Sequence, residues 1–233
     1  MAVRIAAHEA RNQLRRATVL TKIRSMSATD PYDLVRRGYD AVSYRYRGDD
    51  DAPAEYAVWI DGLRNRLHHG ASVLDLGCGC GVPVARSLAS HGYAMTGVDI
   101  SEIQIERARR LVPSATFLNA DATRVDFAAA SFDAIVCLYV LIHLPVPAQQ
   151  LLLQRMAAWL RPGGLLLVTT GAAAWTGIEK NWLGGDAPMW WSHPNAATYR
   201  RWLSHAGFIV DTEGYVPEGN GGHQLFWART DPA

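Results

Sequence analysis

The chain contains no apolar run approaching the roughly 18 residues that a membrane-spanning helix needs. It carries no surplus of charge either. Its 23 basic and 22 acidic side chains leave a formal net charge of +1, so the body of the protein holds no general attraction for a polyanion, and no nucleic-acid partner is expected. Cysteine is scarce. Cys78, Cys80 and Cys137 are an odd number, in strand-like or turn-like contexts, with no histidine or cysteine partners at metal spacing. They read as reduced small residues of a cytoplasmic protein with no metal site. Internal repeats and long low-complexity tracts are missing too. What is present is 233 residues, 49% apolar and 19% charged, enough for one medium domain with a proper core.

The first 28 residues differ from the rest. They contain Arg4, Arg11, Arg15, Arg16, Lys22 and Arg24 against a single acid, Glu9. The continuous apolar centre of a secretory signal is missing, although a transit peptide shares the Arg-rich, acid-poor composition. The preferred reading is a basic N-terminal extension over 1–30, helical or partly ordered and solvated. Packing on a second subunit, which would make the protein a homodimer, is a further option. The main domain then covers 31–233.

From residue 70 onward the pattern alternates. Apolar runs at 72–76, 93–98, 115–119, 132–138 and 165–170 read as strands. Helical stretches fall between them at 82–91, 101–111 and 147–160, and an earlier one at 54–68 is stopped by His69-Gly70. Ser101 and Gln104 have capping-box spacing, and Arg161-Pro162-Gly163-Gly164 reads as a turn. A helix at 195–206 and strands at 208–215 and 224–229 finish the chain. Strand and helix in alternation predict an α/β fold, a doubly wound Rossmann-like parallel sheet.

In such sheets ligands bind at the carboxyl ends of the strands. The first strand ends in Asp75-Leu76 and runs into Gly77-Cys78-Gly79-Cys80-Gly81, where a ligand can lie on bare backbone. A dinucleotide fingerprint would be G-x-G-x-x-G; here the third glycine comes one residue early, and Val82 stands in its place. Three acids sit at successive strand ends. Asp75 offers a partner to a positive group, and Asp99, 18 residues after Gly81, can accept both hydroxyls of a ribose. Asp121, in 118-LNADAT-123, can accept the exocyclic amine of an adenine. A ribose, an adenine and a cationic amino-acid tail without phosphates describe S-adenosylmethionine.

With 73-VLDLGCGCG-81, 97-GVDIS-101, 120-ADA-122, 132-FDAIVCLYVLIHLP-145 and 160-LRPGGLLLV-168 in this order, the chain resembles the class I S-adenosylmethionine-dependent methyltransferases of the small-molecule type. The resemblance implies a seven-stranded sheet whose last strand is antiparallel and inserted beside its neighbours. It implies S-adenosylmethionine as cofactor, with S-adenosylhomocysteine as product. Carried over, Asp75, Gly77 and Gly79, with Cys78 between the glycines, face the methionine end. Asp99 takes the ribose, and Ile100 lies against the adenine. Asp121 and the backbone of Ala122 read the adenine edge, and Leu138 sits near the methionyl part. Tyr32 and Tyr39 are candidates for an N-terminal tyrosine over the cofactor, with aromatic packing as the alternative.

The acceptor side is read from aromatics and histidines. Trp175, Trp182, Trp190, Trp191 and Trp202 cluster after the fifth strand. With its many breakers, 182-WLGGDAPMWWSHPN-195 is expected to be irregular. An aromatic-rich lid over about 171–195 would cover a flat, apolar acceptor; the alternative is a second small core under a long loop. His68, His69 and His91 suit helix ends, and His205 a helix surface. His143 after the fourth strand, His193 in the lid and His223 near the last turn are the candidates for a general base.

The base-methylating motifs of nucleic-acid enzymes in the same family are missing: 139-YVLIHLP-145 stands where an Asn- or Asp-Pro-Pro-aromatic motif would be, and Cys137 is not preceded by proline. The expected reaction is methylation of a small aromatic or apolar acceptor at O, N or C, in secondary or quinone-like metabolism. The alternatives are an RNA or protein acceptor, suggested by the basic extension alone, or a protein that holds the cofactor for other chemistry. A nicotinamide-dependent oxidoreductase is disfavoured by Val82 and by the lack of a second dinucleotide half.

Overall fold

The computed structural model describes residues 30–232. The basic extension lies outside the described residues. The chain enters through helix α1 (Pro31–Tyr46), with Pro31 in its first turn and the Asp30 carboxylate accepting from the Tyr32 amide at 3.0 Å. Fixed φ at Pro31 and a side-chain cap together satisfy a helix start. Helix α2 (Ala54–Arg64) follows, and the alternating part then begins. Its elements are β1 (Ser72–Leu76), α3 (Val84–Ser90), β2 (Ala94–Asp99), α4 (Glu102–Leu111), β3 (Thr116–Asn119) and β4 (Phe132–Cys137). After a short 3₁₀ turn at Leu141–His143 come α5 (Val146–Trp159), β5 (Leu160–Gly171), β6 (Trp175–Glu179), β7 (Met189–His193), α6 (Ala196–His205), β8 (Phe208–Glu218) and β9 (Gly221–Thr230).

Seven strands form one sheet in the order β3-β2-β1-β4-β5-β9-β8. The first five are parallel, and β9 runs antiparallel between β5 and β8. The central strands β1 and β4 and the later part of β5 are buried on both faces and are nearly continuous apolar runs, as parallel strands between helical layers must be. One face packs under α5 and α6 through Leu152, Met156, Trp159, Tyr199 and Leu203. The other packs under α2, α3 and α4 through Trp59, Leu63, Leu88 and Ile105. Strand order reverses between β1 and β4, so the crevice beyond their carboxyl ends is where such a sheet accepts a ligand.

Three local expectations are corrected. Residues Arg161–Gly164 do not form a turn between α5 and β5 but lie inside β5: Leu160 pairs with Phe132, the register slips once, and pairing resumes from Ala134 and Leu165. The breakers are absorbed as an irregularity at a strand start. The tryptophan-rich segment is irregular only in its first half, 182–188, and regular at 189–193. Strands β6 and β7 form a two-stranded antiparallel sheet, with Trp175 opposite His193 and Glu179 opposite Met189. Gly184, Gly185 and Pro188 fall between the strands, which carry Trp175, Trp190 and Trp191, side chains suited to a pleated surface. Ser101 caps α4, accepting from the Gln104 amide at 3.1 Å, yet Gln104 does not complete a capping box. Its buried amide oxygen accepts from the Ser43 hydroxyl at 2.9 Å instead.

That bond is one of several that fasten α1 across the top of the sheet. The Ser101 hydroxyl donates to Asp40 at 2.6 Å. Arg107, 3% exposed, donates to the Ser43 carbonyl and hydroxyl at 2.8 Å, to the Arg47 carbonyl at 2.7 Å and to Asp49 at 2.7 Å. On its other side α1 meets the β6–β7 hairpin. Val35, Val42, Trp182 and Met189 form a small core, packed so closely that a Cβ added at Gly38 would lie only 2.7 Å from the Met189 methyl. Among the described residues, no helix is long and apolar enough to cross a membrane.

Candidate active site

The β1 carboxyl end turns through Gly77 at φ +75 and Gly79 at φ +51, a left-handed conformation that favours glycine. A Cβ on Gly77 would collide with Val140, so the loop is bare both for its backbone angles and for its packing. Beside it a cavity of about 670 Å³, counting its mouth, opens under α1. It brings together Tyr32 and Tyr39 from α1, Gly77 and Gly79, Asp99 and Ile100 from the end of β2, Asp121 and Ala122 beyond β3, and Leu138 and His143 beyond β4. These ten candidates come from five separate strand ends or helices. Asp75 and Cys78 line an adjoining space on the other side of the glycine loop.

The carboxylates have different surroundings. Asp99 accepts from the Gly79 amide and the Ser101 amide, both at 2.9 Å, while burial pushes its pKa up to about 6. Each of its oxygens keeps a lone pair for a hydroxyl pair. Asp121 accepts from the Thr123 amide at 2.8 Å and hydroxyl at 2.7 Å, so it is a turn-capping residue whose side chain also faces the cavity. Asp75 is 4% exposed, and no donor among the described residues reaches its carboxylate. Burial, and secondarily the charge of Asp99, push it up to about 7.

Opposite Asp75 in the same space stands Arg47. Its guanidinium lies over the rings of Tyr46, at 5.6 Å, and Tyr56, at 4.9 Å, and no carboxylate among the described residues pairs with it. A carboxyl group that no donor reaches and a guanidinium that no carboxylate pairs, lining one small space, suit a zwitterion.

A further cavity of about 630 Å³ lies on the far side of α1. Tyr46, Tyr56, Trp182 and Trp191 supply aromatic walls, and Glu55 and Glu218 supply carboxylates. Four residues, Tyr39, Tyr46, Tyr139 and His143, line both this cavity and the first, and so form the throat between them. Tyr139 sits at φ +60, an uncommon angle for a side-chain-bearing residue, and its amide donates to the Thr169 hydroxyl at 2.6 Å. Trp191 Nε1 and His223 Nδ1 are buried without a hydrogen-bond partner.

The three candidate histidines part company here. His143 is 3% exposed; its Nδ1 lies 2.8 Å from the Trp190 carbonyl and its Nε2 3.0 Å from the Tyr39 hydroxyl. A carbonyl only accepts, so Nδ1 carries the proton and Nε2 accepts from Tyr39. Burial depresses its pKa to about 4, so it is neutral at pH 7 with both nitrogens engaged. His193 lines neither cavity: it donates from Nδ1 to the Ala173 carbonyl at 2.7 Å and covers Gly171. His223 donates from Nε2 to Glu218 at 2.7 Å and lies edge-on to Tyr139.

Sequence reasoning missed Arg47, Tyr46, Tyr139 and Glu218. The clustering of tyrosines in 32-YDLVRRGYDAVSYRYR-47 was the available signal for Tyr46; Arg47 and Glu218 carry no local pattern.

Comparison with known proteins finds methyltransferases. Residues 73–164 match the family model described as a methyltransferase domain. The chain is 34% identical over 113 residues to the O-methyltransferase resE of Aspergillus sclerotiorum, covering 46% of this chain and 42% of that protein. It is 32% identical over 154 residues to the 27-O-demethylrifamycin SV methyltransferase of Amycolatopsis mediterranei (strain S699), covering 57% and 56%. The chain thus spans about half the length of these curated relatives. Among solved structures, the 1,6-didemethyltoxoflavin-N1-methyltransferase of Burkholderia thailandensis superposes with a TM-score of 0.67 over 89% of this chain and 92% of that one. At 20% identity, that likeness shows the fold.

Proposed function

On the premise that this chain belongs to the class I S-adenosylmethionine-dependent methyltransferases, we propose that it transfers a methyl group from S-adenosylmethionine to a small, flat organic acceptor. The observation that carries the reading is the pair Asp75 and Arg47, unpaired charges of opposite sign beside the bare glycine loop. Asp75 would hold the ammonium of the methionyl tail and Arg47 its carboxylate. Asp99 would take the ribose hydroxyls, and Ile100, Asp121 and Ala122 would flank the adenine, under a roof of Tyr32 and Tyr39. The residues fit the group: a buried carboxylate with no donor is costly unless a cation meets it.

The bound cofactor supplies an activated methyl on a sulfonium sulfur. The protein's task is then alignment, because transfer requires nucleophile, methyl and sulfur in one line. The throat of Tyr39, Tyr46, Tyr139 and His143 is where an acceptor atom would meet that line. Neutral His143 fixes the Tyr39 hydroxyl there by accepting its proton in a hydrogen bond. The aromatic walls of the outer cavity suit a planar ring system and exclude water. Similarity to small-molecule methyltransferases supports this choice over RNA or protein.

The test is binding followed by transfer. The protein should bind S-adenosylhomocysteine, and Asp99→Ala should weaken it at least about tenfold, which is 1.4 kcal/mol. Wild-type affinity in that variant would refute the site. Methyl-labelled cofactor incubated with fractionated extract should then label small organic molecules; label confined to RNA or protein would overturn the acceptor class.

A further inference from the structure

The three leading base candidates in the sequence are histidines, with Glu179 and Asp186 as weaker ones, yet the outer cavity is lined by a different carboxylate. Glu218, at the end of β8, lines the outer cavity with its side chain 61% exposed. One of its oxygens accepts from His223 Nε2 at 2.7 Å, and no donor among the described residues reaches the other. His223 is 8% exposed and backs Glu218 from the third residue of β9, held edge-on against Tyr139. The other two histidines are occupied: His143 is hydrogen-bonded at both nitrogens, and His193 faces Gly171.

The position is also right. Glu218 lines the outer cavity together with Tyr39, Tyr46, Tyr139 and His143. They are the same four residues that line both cavities. The remaining charged side chains on the outer cavity are Arg47, stacked on Tyr46 and Tyr56, and Glu55.

We propose that Glu218 is the catalytic proton acceptor for a hydroxyl-bearing aromatic acceptor, with His223 as its positioning residue. The inference rests on the methyl-transfer reading given above. In the step, an oxygen lone pair of the acceptor forms the new bond to the methyl carbon, and the carbon–sulfur bond breaks with its electron pair going to sulfur. The acceptor's O–H bond breaks and its proton passes to the Glu218 carboxylate, which returns it to solvent through its exposed side. A strong base is not required, because the proton becomes acidic as its oxygen is alkylated. The His223 hydrogen bond holds the Glu218 carboxyl below its ordinary value, so it stays ionised and oriented.

The test uses the full-length protein, methyl-labelled S-adenosylmethionine and 2-naphthol as phenolic probe, in parallel with the acceptor recovered from extract. Cofactor binding is measured separately by calorimetry for each variant. E218Q should bind cofactor like wild type and lose roughly 10²-fold in kcat at pH 7. That loss should shrink as pH rises through the ionisation of the naphthol, since a naphtholate has no proton to give. E218D should retain more transfer than E218Q. H223L should move the acid limb of the pH–rate profile upward, because leucine offers no donor to hold the Glu218 carboxyl down. Wild-type transfer by E218Q at pH 7, or an equal loss at every pH, overturns the proposal. A wild-type protein that binds no cofactor refutes the underlying reading instead, and the calorimetry tells these failures apart.

Discussion

The Tyr39 hydroxyl stands 3.0 Å from His143 Nε2, across 104 residues of sequence, and so ties the roof helix to the end of β4. Since His143 Nδ1 donates to the Trp190 carbonyl, the tie continues into the hairpin. Three elements that form the walls of the throat are joined through one neutral imidazole.

That imidazole has a pH signature. Its folded pKa, depressed by burial to about 4, lies below the ordinary value of 6.5. Between these values the unfolded chain binds a proton that the folded chain refuses, so stability falls as pH drops through this window. The full effect is on the order of 3 kcal/mol. Thermal melts from pH 7 to 4 should therefore show a shallower decline for His143→Gln than for wild type. Parallel curves would show that His143 protonates without cost.

Asp75 should behave in the opposite sense. Its folded pKa is raised to about 7, so the stability it contributes is present below the ordinary carboxyl range and is lost as pH rises through 7. Ligand-free Asp75→Asn should melt higher than wild type at pH 8, while its affinity for S-adenosylhomocysteine drops at least about tenfold. In the wild type that affinity should improve from pH 6 to 8 as the carboxylate ionises. A flat affinity profile by calorimetry would mean that Asp75 does not meet the ammonium.

Gly77→Ala is expected to fail both ways. The side chain meets Val140, and φ +75 is strained for alanine. Together these should cost about 1–3 kcal/mol in urea unfolding and abolish cofactor binding. A variant with unchanged stability and binding would mean that Val140 yields without consequence.

Arg107 anchors the roof. Arg107→Met removes the guanidinium that lies over the Tyr44 ring and takes its donors from the Ser43 and Arg47 carbonyls, while Asp49 keeps its bond from Arg110. We expect a loss of about 3 kcal/mol and faster amide exchange in α1 than in β4. Uniform exchange across both elements would show that Arg107 does not secure the helix locally.

The sequence made the sheet legible because buried parallel strands leave unbroken apolar runs, and punctuation by glycine and proline separated them. The cofactor side was legible for the same reason: Gly77, Asp99 and Asp121 each stand at the end of such a run. What escaped was set by distant packing. Arg161–Gly164 has turn chemistry, yet Phe132 on the neighbouring strand holds Leu160 in register before the slip. The hairpin was hidden because its breakers cluster between two short strands that pair only with each other. Arg47 ends a helix as an ordinary exposed cation would, and only the folded chain sets it opposite Asp75. Glu218 is one carboxylate among many until His223, five residues on, turns back against it.

The roof helix is a wall common to two rooms. Val35 closes the inner cavity, Tyr39 and Tyr46 face both, and Met189 of the hairpin is packed against Gly38 behind them. Whatever fills one room therefore sets the posture of the wall that the other presents. By reciprocity of linked equilibria, if an occupant of the inner room alters the affinity of the outer one, an occupant of the outer room alters the inner by the same factor. A change at a shared side chain such as Tyr39 is therefore felt on both sides of the wall.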